Sequence, residues 1–287
     1  MNQPRDDAVV QIASLFDGLA TSYDEVGVDF FGPIADELVG RLAPTRGESL
    51  LDIGCGKGRV LISAAERAGP NARLMGIDVS PGMLAEARTT LDKAGLTQVE
   101  LLERDAQNPQ LAAAPFDVVA SSLVLFFLPD PVRALRAWRR LLRPDGRVGI
   151  TTFGDRDPRW EDVDSVFTPY LPAKMLDART SGATGPFGSD AGVEDLFRQA
   201  GFTDVQTWHA EVGVVFADAD HWRTWTMSVG QRAMWQAVPA EKVAEVQKLA
   251  AQRLSHCIGD DGRIHLTQTI RTTVAFLADP ARSWALR

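Results

Sequence analysis

Through the first half of the chain, short apolar runs alternate with amphipathic stretches, the rhythm of strand-helix-strand units that build a mainly parallel sheet. Residues 49–53, 73–77, 99–102, 116–120 and 147–152 predict strands. Between them, 58–68 carries Val60, Leu61, Ala64 and Ala65 at helical spacing, and 81–94 opens with Ser80 as N-cap and Pro81 at the first helical position. The stretch 130–142 begins in the same way with Asp130 and Pro131, and Arg143-Pro144-Asp145-Gly146 then predicts a turn feeding the fifth strand.

Beyond residue 150 the pattern changes. Residues 154–192 are rich in Gly, Pro and Asp without a sustained period and read as a long excursion holding short helices. A helix at 191–200, closed by Gly201, precedes a strand at 203–209. Residues 218–256 form a helical block whose apolar stripe is Val243, Val246, Leu249 and Leu254. In the last run, 264–276, residues Ile264, Leu266, Ile270, Val274 and Phe276 share one parity and predict a strand. With no repeat and no clear linker, the pattern favours one α/β domain carrying insertions.

Composition narrows the class of function. The 287 residues include 30 Lys+Arg against 38 Asp+Glu, a net charge of -8 that argues against a general nucleic-acid or anionic-membrane binder. No apolar run is long enough to span a bilayer, and the first residues lack the basic-then-apolar order of a signal peptide. Cys55 and Cys257 can build neither a disulfide framework nor a zinc cluster, so no metal is expected and a cytoplasmic setting is the simplest.

The chemistry concentrates at the end of the first strand, in Asp52-Ile53-Gly54-Cys55-Gly56-Lys57-Gly58-Arg59. A strand, a glycine loop and a helix make a nucleotide site, but the dinucleotide fingerprint wants glycine where Arg59 stands, and no phosphate-loop GK[ST] follows. Asp52 would repel a pyrophosphate and attract an ammonium group, so the loop favours a nucleoside bearing a cationic amino acid. Asp78 at the tip of the second strand suits the two hydroxyls of a ribose, and Asp105 beside Ala106 after the third strand suits the exocyclic amine of adenine.

These residues closely resemble the class I S-adenosylmethionine-dependent methyltransferases, in particular the small-molecule branch that includes the ubiquinone/menaquinone-biosynthesis type. The likeness covers 16 to about 213 and resumes at the last strand, taking in the leading segment 16–24, Ser121-Ser122 and Leu141-Leu142-Arg143-Pro144-Asp145-Gly146. It implies a Rossmann-like, seven-stranded, mostly parallel sheet with an antiparallel last strand and helices on both faces. It also implies a single domain over 1–287, with an N-terminal helical lid at 1–45 and a helical substrate lid at 218–256 between the last two strands. Carried over position by position, Asp52 and the Gly54-Cys55-Gly56 backbone would hold the methionine moiety of S-adenosylmethionine, with Ser121 beside it. Asp78 would hold the ribose, Val79 and Met83 the adenine faces, Asp105 and Ala106 the adenine edge, and Tyr23 would close over the cofactor.

The expected partner is a small, largely apolar methyl acceptor, and a homodimer is compatible with the chain. Trp222 and Trp225, three apart in the suspected lid, are either core or walls of the acceptor pocket. Phe126-Phe127 stands where related enzymes often carry His-His, which implies an apolar pocket and slightly favours methylation at a hydroxyl or carboxyl oxygen over carbon, with C- or N-methylation of a small molecule the alternative. Of His209, His221, His256 and His265, His221 ranks first as a general base because it precedes the tryptophan pair. Two rival readings keep the scaffold: a non-methylating cyclase that holds the cofactor, and a regulatory protein with a vestigial site.

Overall fold

A computed structural model describes residues 7–23, 26–112, 115–172 and 185–277. Seven strands, β1 (Leu50–Ile53), β2 (Leu74–Asp78), β3 (Glu100–Glu103), β4 (Phe116–Ser122), β5 (Leu142–Arg156), β6 (Thr203–Phe216) and β7 (Ile264–Phe276), form one sheet in the order β3-β2-β1-β4-β5-β7-β6. β7 lies antiparallel between β5 and β6, and the pairings among β1 to β5 are parallel. The mainly parallel sheet expected from the alternating pattern, and the Rossmann-like class implied by the resemblance, are therefore the ones observed.

Side-chain alternation explains why both faces are covered. In β1, Leu50 joins one core with helices α2 (Phe31–Leu42) and α3 (Arg59–Ala68), while Leu51 and Ile53 join another with α5 (Pro131–Arg139) and α7 (Asp190–Gln199). Val118 and Val119 of β4 divide between the same two cores. Helix starts follow the capping signals: Ser80 Oγ accepts the Met83 N–H at 3.0 Å to open α4 (Pro81–Lys93), and Asp130 accepts that of Arg133 at 2.8 Å to open α5. Helix α1 (Asp7–Asp17) packs against α4.

Several boundaries differ from the sequence expectation. Helix α5 stops at Arg139, and β5 begins at Leu142, paired with Phe116, so the predicted turn at 143–146 becomes an irregularity within a longer strand. β6 runs on to Phe216 because Val212, Val214 and Phe216 continue one buried face past the expected end at His209. The projecting ends of β6 and β7 carry a third core, shared with α6 (Pro158–Asp164), the turn Ser165–Tyr170, and the helical block of α8 (Ala219–Ser228), α9 (Arg232–Ala237) and α10 (Val243–Leu254). In α10 the buried stripe is Val246, Ala250 and Leu254, and Leu249 faces solvent at 38% exposure. Part of the 154–192 excursion, and Trp284, lie outside the described residues. Among the described residues no helix is long and apolar enough to cross a membrane.

Candidate active site

Register brings the carboxyl ends of the central strands level, with Asp52 opposite Gly76 of β2 and Ala120 of β4. The chain leaving β1 must turn at once into α3, and it does so through left-handed backbone. Gly54 has φ +72°, and a Cβ there would collide with Val124 Cγ2. Gly56 has φ +48°, and a Cβ there would meet nothing within 4 Å, so the loop presents bare backbone to open space. The Gly54 and Cys55 N–H groups donate to the Ile77 carbonyl at 2.8 and 2.9 Å, and the Gly56 N–H donates to Asp78 Oδ2 at 2.9 Å.

Asp52 is 1% exposed, and neither of its carboxylate oxygens has a hydrogen-bond partner among the described residues. Burial, and secondarily the charge of Asp78, push its pKa well above the usual carboxylate range. Asp78 is also raised by burial, with the N–H groups of Ser80, Gly56 and Val79 opposing the shift. One buried and one half-buried acid flanking a bare glycine loop call for a cation. The Cys55 thiol is pushed up by burial and by the same two acids, which makes it a poor nucleophile.

Asp52, Gly54, Cys55, Gly56, Asp78, Val79, Met83, Asp105 and Ala106 all line one cavity of about 630 Å³, as do Tyr23, Phe126, Phe127 and Trp225. Asp105 also accepts the Gln107 N–H at 2.8 Å, and the Ala106 carbonyl accepts from the Trp138 indole at 2.7 Å, which fixes the turn after β3 to α5. Tyr23 stacks on Phe31 with ring centroids 4.9 Å apart, and its carbonyl accepts from Lys57 Nζ at 3.0 Å.

Three expected residues lie elsewhere. Ser121 is fully buried and donates to the Ile53 carbonyl at 2.8 Å, and it is the adjacent Ser122 that lines the cavity. Strand alternation sends neighbouring side chains to opposite faces, so the single-residue shift is complete. Trp222 packs between Phe167 and Trp235 in the third core, leaving the cavity wall to Trp225. His221 Nδ1 accepts the Ala217 N–H at 3.0 Å, which leaves Nε2 to donate to the Val26 carbonyl at 2.7 Å. Both ring nitrogens are thus spent on backbone, and His221 does not line the cavity; it cannot serve there as a base. His209 and His265 bond surface acids, Asp190 and Asp261, and no histidine is among the lining residues described.

The structure adds residues that spacing alone did not reveal. Asp17, within the leading segment, accepts from Ser80 Oγ and from the Gly82 N–H at 2.9 Å, tying the end of α1 to the start of α4 beside Asp78. Trp160, Asp164, Gln231, Met234 and Gln268 come to the cavity from three separate stretches of sequence.

Such a cradle defines a protein that binds a cationic nucleoside at the ends of parallel strands. Residues 44–190 match the family described as a methyltransferase domain. Nocamycin O-methyltransferase of Saccharothrix syringae is 34% identical over 258 residues, covering 85% of this chain and 91% of the relative. Aklanonic acid methyltransferase DauC of Streptomyces sp. (strain C5) is 38% identical over 167 residues, 58% of this chain and 76% of the relative. In fold, the chain matches the cyclase SpnF with a TM-score of 0.55 at 17% identity, covering 93% of this chain and 96% of that one. The chain belongs to the methyltransferase domain family: it is a class I S-adenosylmethionine-dependent methyltransferase of small molecules.

Proposed function

We propose that this enzyme methylates an oxygen, hydroxyl or carboxyl, of a largely apolar small molecule seated between the glycine loop and the helical block. The observation that carries the reading is the single cavity joining the acid-lined glycine loop to walls of Trp160, Trp225 and Met234, with no imidazole in its described lining. A carboxylate arrives already ionised and needs no base, and an acidic phenol or enol needs little help, whereas a carbon acceptor must lose a proton to some group. The O-methyltransferase and the aklanonic acid enzyme among its relatives support the same choice.

S-adenosylmethionine supplies a methyl group activated by its sulfonium. The protein's part is to bind, orient and exclude water. Asp52 and the Gly54 to Gly56 backbone hold the methionine portion, Asp78 the ribose, Asp105 and Ala106 the adenine edge, and Val79 and Met83 the adenine faces. Tyr23 and the N-terminal segment 1–45 close over them. The block 218–256 closes over the acceptor, and the aromatic walls both shed water and limit the acceptor's freedom, so orientation and desolvation contribute most of the rate. Incubation with S-adenosylmethionine and a panel of aromatic carboxylic acids and phenols, aklanonic acid included, tests the reading. A methyl ester or ether formed together with S-adenosylhomocysteine supports it, and products methylated only at carbon or nitrogen overturn it.

A further inference from the structure

The apolar parity of β7 is broken where the strand meets the cavity. Ile264, Leu266 and Ile270 share one face and join the core under the helical block, and Gln268 stands among them on that same face. Gln268 is 7% exposed and lines the cavity. It is paired with Val212 of β6 and, beyond the register shift after Phe153, with Arg156 of β5. Its Nε2 donates to the Thr269 carbonyl at 2.9 Å, a bond that only the NH2 end of the amide can make, and its Oε1 accepts no hydrogen bond among the described residues. Asp164, on the same cavity, differs: it accepts from Gln231 at 2.9 Å and has a further interaction besides. An aliphatic side chain at position 268 would extend the apolar face without the cost of burying an amide.

We propose that Gln268 is a specificity-determining residue whose Oε1 accepts a hydrogen bond from a hydroxyl group on the otherwise apolar methyl acceptor. The inference rests on the reading of the cavity beside the helical block as the acceptor site. The hydroxyl is a recognition group, and the atom methylated is a separate matter. The bond to Thr269 holds the amide in one sense, so the oxygen is presented without a rearrangement on binding. A site built around a buried acceptor oxygen discriminates against a ligand that lacks the matching donor, because the oxygen is then left facing an apolar surface. The amide is also neutral, so it reads a donor without setting a fixed negative charge against an ionised carboxyl elsewhere on the same acceptor.

Gln268→Met and Gln268→Glu separate recognition from architecture. Methionine keeps the length of the side chain and removes both polar ends. Glutamate keeps an acceptor oxygen in either protonation state and gives up the amide nitrogen that holds Thr269. The probes are 2-naphthol and naphthalene, partitioned by equilibrium dialysis against protein saturated with S-adenosylhomocysteine. An all-apolar pocket would favour naphthalene, the more apolar of the two. The wild type should instead bind 2-naphthol at least about fivefold more tightly. In Gln268→Met that preference should vanish, in Gln268→Glu it should persist, and affinity for S-adenosylhomocysteine should hold in both. Loss of the bond to Thr269 lowers stability for both probes alike, so the ratio of the two affinities is the quantity read. Equal affinity for the pair in the wild type, binding of neither, a preference that survives Gln268→Met, or its loss in Gln268→Glu overturns the proposal. The oxygen-methylation reading is judged by the atom methylated in the product, so each can fail while the other stands.

Discussion

The carboxylate of Asp78 accepts the backbone N–H of Gly56 at 2.9 Å, so the acid at the end of β2 shapes the glycine loop that follows β1. Its other oxygen accepts the Ser80 N–H at 3.0 Å, which sets the start of α4. One side chain thereby fixes two walls of the cofactor cradle before any ligand arrives.

Asp78→Ala should therefore cost more than a ribose contact. Affinity for S-adenosylmethionine is expected to fall by about 100-fold or more, since hydrogen bonds to a charged group are worth about 1.5–3 kcal/mol each. Calorimetry with S-adenosylhomocysteine measures it, and an affinity within a few-fold of the wild type would remove Asp78 from the cofactor site.

Asp52 predicts the pH dependence. A carboxyl whose folded pKa is raised by burial holds its proton more tightly folded than unfolded. Its contribution to stability is complete below the ordinary carboxylate range and is lost as pH climbs through the raised folded value. The ligand-free protein should thus lose stability on that climb, and Asp52→Asn should flatten the trend in thermal melts. A cationic ligand favours the ionised carboxylate, so cofactor affinity should rise with pH over the same window, approaching about tenfold per pH unit, with protons released on binding.

The two glycines should respond differently to a methyl group. Gly56→Ala pays the left-handed backbone cost of about 1–2 kcal/mol and nothing for crowding, so the protein should fold while cofactor affinity drops at least about tenfold as the new Cβ occupies the open side of the loop. Gly54→Ala adds a collision with Val124 and should lower the melting temperature further. Equal melting temperatures for the two variants would contradict the loop geometry.

His221→Ala tests the assignment of that ring to architecture. Losing its bonds to Ala217 and Val26 should destabilise the protein by about 1–2 kcal/mol and raise KM for S-adenosylmethionine, because Val26 belongs to the N-terminal segment proposed to close over the cofactor. The pH profile of kcat should keep its shape. A missing acid limb in that profile would mark His221 as a base after all.

How much of this was legible in the sequence depends on the range over which each signal acts. Asp52, Gly54, Gly56 and Asp78 were readable because a strand end, a glycine loop and a helix start are contiguous, and local geometry dictates which atoms meet. The even and odd positions of 264–276 likewise identified β7 to the residue. Ser121 was misplaced by one position, since the expected strand ended at 120, whereas β4 runs on through Ser122 and its alternation turns Ser121 away from the cavity. Asp164 and Gln231 carry no local signature; only the tertiary fold joins the end of α6 to the residue before α9. His221 misled because it neighbours a tryptophan that lines nothing, and the structural use of its ring depends on Val26, 195 residues away in the chain.

Phe216, the last residue of β6, is paired with Ile264, the first of β7, so everything between them departs from and returns to a single rung of the ladder. The entropic cost of closing that long excursion is largely met by the ladder itself. The intervening helices can thus be exchanged as a cassette, with both splice points on one rigid rung and the three acids of the cradle left on the far strands. An engineer seeking new substrates would graft at Phe216 and Ile264 and keep His221, whose bond to the Val26 carbonyl is a tie to the N-terminal segment that the cofactor reading depends on.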